Sequence, residues 1–511
     1  MSLSPEQKYA LELFKQGKNI MLSGPAGTGK SFVIKTFIEH AKMLGKNLQT
    51  CALTGCAAIL LNCGAKTIHS WSGIKVHRGK TDEVVGKVLR SKHNVSTWKK
   101  TNILIVDEVS MLSKKMFEIL NRIGKIARNR PGSAFGGIQV VFTGDFFQLP
   151  PVGNQDDPDT CRFCFESPDW FSVFPLENHI ELKTIFRQTD PIYINILSQI
   201  RVGEISPENI EILQKYIRRP STEETVIPPK LFPLRKRTEY INNEMFEKIN
   251  EPIYEFYVDV NTNNKLYLDT LKPIPSSVLE ECNKHYRHGV DGSGEKEKER
   301  LLEFYMNILP CSHVVSLKRG ASVMCIQNLD LPMGICNGSQ GVVIDFLERG
   351  EDEDIVPVVK FSNGVVRPIH YQYWQMEDLP TWTIGQIPLM LSWAMTIHKM
   401  QGITISMAEI DVGNTVFEYG QIYVALSRLR SLDGLYLLNF NPKKIKANPV
   451  VLEFYEKFIS FGTLCVQHKD VGLPSVLPQT TDTKHIFVLH GEEPEPETEK
   501  ETTKIFTVKK I

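Results

Sequence analysis

"MLSGPAGTGKSFVIKTF", residues 21–37, sets an apolar run before a glycine-rich turn and a helical pattern behind it. The turn, Gly24-Pro25-Ala26-Gly27-Thr28-Gly29-Lys30-Ser31, matches Gly-x-x-x-x-Gly-Lys-Ser. Glycines at 24, 27 and 29 let backbone N–H groups turn toward phosphate oxygens. Lys30 is placed to neutralise β and γ phosphates, and Ser31 to ligate magnesium. The helix that follows adds the positive end of its dipole.

Working outward, short apolar runs at 19–24, 48–55, 102–108 and 139–145 alternate with helical stretches at 31–44 and 111–128. Strands alternating with helices predict an α/β fold with a parallel sheet covered on both faces, over residues 1–185. The run "ILIVDEVS" ends in Asp107 and Glu108, where such a sheet presents its ligands. Asp107 suits magnesium, and Glu108 suits polarising an attacking water. This pair disfavours small-molecule kinases. The lack of an Asn-Lys-x-Asp stretch disfavours small GTPases, so ATP hydrolysis is the expected chemistry.

Lys+Arg and Asp+Glu balance at 59 each in 511 residues, so any basic groove is local. Ten scattered cysteines suit a reducing compartment. No leader pattern and no bilayer-length apolar run is present, which predicts a soluble intracellular protein of nucleus or cytoplasm.

The rest of the chain divides by pattern. Residues 74–98 form a basic excursion, and 186–250 read as mainly helical. Residues 251–384 carry a charged stretch at 291–300 and then turn-punctuated β signals. Asn363-Gly364 between β-branched runs is a hairpin signal. The region reads as a small β-barrel inserted into a second α/β domain that resumes over 385–465. The tail 466–511 includes the Pro/Glu-rich "EEPEPETEKE" and is expected to be partly disordered.

Further candidates lie in order along the chain. Gln148 in "GDFFQLPPV" suits a γ-phosphate sensor or a plain polar loop. Arg187 in "TIFRQ" and Arg428 in "YVALSRLRS" suit two arginines reaching one phosphate, or two structural ion pairs. "HKMQGITI" sets His398, Lys399, Gln401 and Gly402 in one turn, able to clamp phosphates of ATP or DNA. Gln7 in "LSPEQ" is placed to read adenine. Cys161-Arg-Phe-Cys164 lacks a second pair for structural zinc, and His285 and His288 suit an exposed helix.

The ordered set "LSPEQ", "GPAGTGKS", "ALTGCAA", "TIHSW", "ILIVDEVSML", "FGGIQVVFTGDFFQLPPV", "IFRQ", "AMTIHKMQG" and "YVALSRLRS" resembles the Pif (petite integration frequency) family of superfamily 1B DNA helicases, close to RecD-type motors. The resemblance spans about residues 4–445 and implies two RecA-like domains, 1A over 1–185 and 2A over 186–250 and 385–465. It also implies a wedge insertion at 74–98 and an SH3-like barrel within the inserted 251–384.

By the same resemblance the chain uses ATP and Mg2+ to move 5′ to 3′ on single-stranded DNA and unwind duplex, in replication, repair and recombination. Gln7 would contact adenine, Gly27, Gly29, Lys30 and Ser31 hold phosphate and metal, and Arg187 and Arg428 act as arginine fingers. Forked DNA, G-quadruplexes and RNA–DNA hybrids are the implied partners, with a monomer in solution and no membrane.

Thr54, with Ala57 and Ala58, His69 and Trp71, Phe146 and Phe147, His398 and Thr404 are candidate strand contacts. Lys75, Arg78 and Lys80 of the wedge are candidate phosphate contacts. Base stacking on an aromatic is worth ~1–3 kcal/mol, although core packing is an equal reading for each ring. The short stretch before Gln7 predicts no mitochondrial presequence.

Overall fold

The four apolar runs become neighbouring strands of one parallel sheet. In the computed structural model β1 (Ile20–Ser23), β2 (Leu48–Ala52), β3 (Lys66–Thr67), β4 (Ile103–Asp107), β5 (Gln139–Gly144) and β6 (His179–Glu181) lie in the order β3-β2-β4-β5-β1-β6. Every pairing is parallel. The structure describes residues 3–54, 57–58, 61, 63–74, 80–218, 228–261, 312–330, 333–347, 355–375 and 383–467. All of them fall within the unit Met1–Val476.

Alternate residues of each strand feed opposite cores, as a sheet buried on both faces requires. Ile20, Leu22, Ile103, Ile105 and Val141 pack with Phe14, Ile34 and Phe37. Those last three belong to α1 (Pro5–Lys15) and α2 (Lys30–Met43). Met21, Leu104, Val106, Val140 and Phe142 pack on the other face with Phe117, Trp170 and Phe174. Phe135 of "FGGIQ" is fully buried there. Its N–H donates to Asn121 Oδ1 at 2.9 Å, and Arg128 Nε donates to the Gly136 carbonyl at 2.8 Å.

The excursion at 74–98 contains the helices Thr81–Arg90 and Lys92–Lys100. Val84, Val85, Val88 and Trp98 turn inward, and Trp98 packs at a tilt against Trp71, ring centres 4.5 Å apart. Lys80, Lys87, Arg90 and Lys92 remain exposed. Lys75 and Arg78 lie outside the described residues, as do the charged stretch 291–300, His285, His288 and the tail from 468.

A second parallel sheet joins Ala394–Thr396, Lys230–Phe232, Ala408–Val412 and Leu435–Phe440 in that order. The mainly helical reading of 186–250 therefore misses one strand, Lys230–Phe232, which is only three residues long. Along the chain, between Lys230–Phe232 and Ala394–Thr396, lies an antiparallel sheet of five strands. Its hairpin turns at Asn363-Gly364, where Val356–Phe361 pairs with Val366–Pro368.

The last described helix, Pro449–Gln467, does not stay with the second sheet. Val451, Phe454 and Tyr455 enter the first core. The chain thus crosses between the halves twice, between Leu182 and Tyr193 and between Ile445 and Val451, and the second crossing packs against the turn after Arg201. Gly203 has φ +82°, and a Cβ there would meet the Ala447 nitrogen at 2.3 Å. Beside them Arg201 forms a buried ion pair with Asp145 at 3.0 Å, joined by Glu181 at 3.2 Å.

Replacing Arg201 by Met leaves the Asp145 carboxylate buried without its cation. The expected loss is about 3–5 kcal/mol of unfolding free energy, read from denaturant midpoints. His179 gives a separate handle. Trp170 Nε1 donates to its Nε2 at 3.0 Å, so Nδ1 carries the proton to the Pro175 carbonyl. Burial pushes its pKa down to about 4. That lies below the unfolded value near 6.5, so the unfolded chain binds the extra proton between those limits. This contribution to stability is full above about pH 6.5 and is lost as pH falls toward 4. His179→Gln, which cannot titrate, should flatten that part of the stability curve.

Candidate active site

β1 ends where the glycine-rich turn begins, and α2 starts at Lys30 with Gly29 as its cap. The Lys30 ammonium donates to the carbonyls of Gly24 (2.7 Å) and Pro25 (2.9 Å). Thr28 Oγ1 closes the turn on the Pro25 carbonyl at 2.9 Å. Gly27 has φ +87°, and a Cβ there would sit 2.6 Å from Arg187 Cβ. The loop is therefore built against a segment entering from the second half. The Phe186 N–H donates to the Gly27 carbonyl at 2.8 Å. From the far side, the Ala26 N–H donates to the Tyr423 hydroxyl at 2.8 Å.

β4 delivers the carboxylates. Thr143 Oγ1 (2.8 Å) and the Glu108 N–H (2.9 Å) both donate to Asp107 Oδ1. Burial, and then the neighbouring Glu108 charge, push the Asp107 pKa up to about 6 against these hydrogen bonds. Glu108 itself has φ +56°, an unusual backbone for a residue with a side chain.

One cavity of about 320 Å3 collects these parts. Residues 26–31 line one side, and Asp107, Glu108 and Gln148 line another. Arg187, Gly402 and Arg428 complete it from the second half. Gln148 is buried, and its Oε1 has no partner among the described residues. Arg187 Nη1 donates to the Ser427 carbonyl at 2.9 Å. Arg428 is held by the Val424 carbonyl (2.9 Å) and Ser427 Oγ (2.8 Å). Burial, then the Arg428 charge, brings Arg187 down to about 9. Burial likewise lowers Lys30 and Arg428. Three cations share a poorly hydrated cleft, which favours a polyanion.

Gln7 sits behind the loop rather than in the cavity lining. Ser4 N–H donates to its Oε1 at 3.1 Å, and its Nε2 approaches the Thr28 carbonyl at 3.4 Å. "SPEQ" is a capping box, a signal the sequence reading passed over. Sequence reasoning also missed Phe186, an exposed ring at the cavity wall. It did not foresee that Gln401 Nε2 reaches Glu108 Oε2 at 3.1 Å.

The expected strand contacts fare differently. Phe146 is 1% exposed and packs edge-on to Phe165 and Phe454, so it offers no face to a base. That expectation is corrected: the ring fills the core under the C-terminal helix. Phe147 stacks on Tyr455 and Trp71 packs at a tilt against Trp98, and both rings are buried. Thr54 Oγ1 accepts the Ala57 N–H at 3.2 Å as a helix cap, with Ala57 and Ala58 buried. His69 is half-buried, and its pKa is lowered by burial. His398 and Thr404 are half-buried on the turn that carries Gln401, and His398 lies 6.3 Å from the exposed Phe417 ring. Cys164 is buried, whereas Cys161 is exposed.

Two parallel sheets that close on one phosphate loop, with an arginine contributed across the cleft, define the two-RecA-domain class of P-loop proteins. Comparison narrows the class. The PIF1-like helicase profile matches residues 2–210, and the DNA helicase Pif1 2B-domain profile matches 304–346. The human ATP-dependent DNA helicase PIF1 is 32% identical over 92% of this chain and 66% of its own. The crystal structure of Pif1 helicase from Candida albicans is 31% identical, with a TM-score of 0.69 over 89% of this chain and 99% of that one. Bacteroides Pif1, solved bound to ssDNA, is 27% identical with a TM-score of 0.58 over 90% and 98%. The chain belongs to the Pif1-like helicase family. It spans about two thirds of the length of the curated relatives it matches.

Because Phe146 is core, Phe146→Ala should cost about 3–5 kcal/mol of stability. The affinity of the folded protein for single-stranded oligonucleotides, read by fluorescence anisotropy, should stay within a factor of two (about 0.4 kcal/mol) of the parent.

Proposed function

We propose that this chain is an ATP-dependent DNA helicase that moves 5′ to 3′ along single-stranded DNA and separates duplex. The observation that carries the reading is the cavity that joins Lys30, Glu108, Arg187 and Arg428 from both halves. Lys30 and the N–H groups of residues 27–31 would hold the β and γ phosphates. Ser31 and Asp107, hard oxygen donors on one cavity, fit Mg2+ and would hold it, and the ion would supply positive charge against the phosphates. Glu108 would polarise the attacking water, and the free amide oxygen of Gln148 would orient it. Arg187 and Arg428 would meet charge developing on the transferred phosphoryl group. The exposed face of Phe186 would pack against the base, with Gln7 as support for the loop.

The lined cleft suits coupling, since its cations come from both halves and a polyanion draws them together. Single-stranded and forked DNA are the substrates this reading favours, with G-quadruplexes and RNA–DNA hybrids as further ones. His69, His398 and Thr404 remain candidate contacts, and the exposed Phe417 is a better stacking ring than Phe146. The helices at 81–100, with exposed Lys80, Lys87, Arg90 and Lys92, would serve as the wedge. The five-stranded antiparallel sheet would be the core of the SH3-like module. We read the working unit as a monomer.

Matched duplexes bearing a 5′ tail, a 3′ tail or no tail test the whole reading. ATP-dependent strand separation of the 5′-tailed duplex alone is expected, and Lys30→Ala should abolish it while single-strand binding persists. Unwinding from a 3′ tail would overturn the polarity. DNA-stimulated hydrolysis without strand separation would overturn the motor and leave an ATP-driven clamp.

A further inference from the structure

The hydrogen bond between Gln401 and Glu108 crosses the cleft between residues far apart in the chain. Glu108 directly follows the strand that ends in Asp107, and its backbone is held at φ +56°. Gln401 Nε2 donates to Glu108 Oε2 at 3.1 Å. Gln401 is buried, and its own Oε1 has no partner among the described residues. One amide can therefore hold the carboxylate with its nitrogen and offer its oxygen to a water beside it.

Gln401 sits in a short segment with other duties. The 3-10 turn His398–Met400 precedes it, and Gly402 behind it lines the nucleotide cavity. His398 and Thr404, half-buried, flank it at the ends of the same seven residues. On its other side the segment abuts the inserted sheet: a Cβ at Gly338 would meet Ile403 Cγ2 at 2.6 Å and the Thr404 carbonyl at 3.2 Å. A shift of this turn under DNA is thus conveyed to Glu108 by one hydrogen bond, with little slack in the packing behind it.

We propose that Gln401 is a positioning residue that aims Glu108 at the attacking water and so makes ATP hydrolysis respond to the DNA strand. The proposal rests on the ATPase and DNA reading above. Misplacement of a reacting group by about 1 Å can cost ~100-fold in rate, so one lost donor is enough to show.

The test is steady-state ATP hydrolysis by the full chain and by Gln401→Met and Gln401→Glu, with and without saturating single-stranded oligonucleotide. Met keeps the volume and removes the donor, and Glu sets a like charge against Glu108. For Gln401→Met we expect the DNA-stimulated kcat to fall by roughly 10- to 100-fold, with the KM for ATP within about twofold and the ratio of DNA-stimulated to DNA-free rate falling as well. Gln401→Glu should be no better than Met. Circular dichroism and oligonucleotide affinity at the parent value certify the fold. Parent-like stimulation in Gln401→Met overturns the proposal. An equal loss with and without DNA, or a rise in KM, also overturns it, because Gln401 would then serve nucleotide binding. If the parent chain hydrolyses no ATP in either condition, it is the ATPase reading that fails.

Discussion

The ion pair between Asp145 and Arg201 is the constraint on which the geometry of the cleft depends. Both side chains are nearly removed from solvent, at 0% and 2% exposure. Arg201 meets Asp145 with Nε at 3.1 Å and Nη2 at 3.0 Å, and spends a further contact on Glu181. Phe147 and Tyr455 cover the guanidinium at 4.6 and 5.5 Å. Burying two charges costs several kcal/mol each, recovered only while the geometry holds. The pair therefore acts as a register pin. It fixes helix Pro191–Arg201 to the carboxyl ends of β5 and β6, and with it the segments that bring Arg187 and Arg428 over the phosphate loop.

With that register set, the cleft is electrostatically poised. Lys30, Arg187 and Arg428 all bear pKa values lowered by burial, and Arg187 is further lowered by Arg428. The Arg428 charge beside Arg187 is a cost that phosphate oxygens relieve, so affinity for a polyanion and closure of the cleft draw on one source. Asp107 shows the complementary pressure, with its pKa raised by burial and by Glu108, which a cation would reverse. The hydrogen bonds that run from Tyr423 to the loop and from Gln401 to Glu108 then report on the cleft from the second half.

Much of this was legible in the chain, for reasons that differ by residue. The strands at 20–23, 103–107 and 139–144 are buried throughout and mostly apolar because both sheet faces are covered. The phosphate loop is local chemistry, readable from eight residues. Lys230–Phe232 was not legible, since three residues make no periodic pattern. The rings at 146 and 147 were ambiguous for a related reason: an aromatic beside a motif looks alike whether it packs on a base or on the core. The return of helix Pro449–Gln467 to the first core decides between them, and that contact is long-range. The local capping role of Gln7, by contrast, was written in "SPEQ" and went unread beside its place in the motif order.

The packing of Gly203 against Ala447 has a mechanical consequence. A domain joined by two loose strands of chain could swing and twist in many directions. Here the returning strand is pressed at Ala447 against the turn that follows helix Pro191–Arg201, beside a buried ion pair. A pinned point beside the crossing stiffens motions that would pull the halves apart there and leaves rotation about it as the easier one.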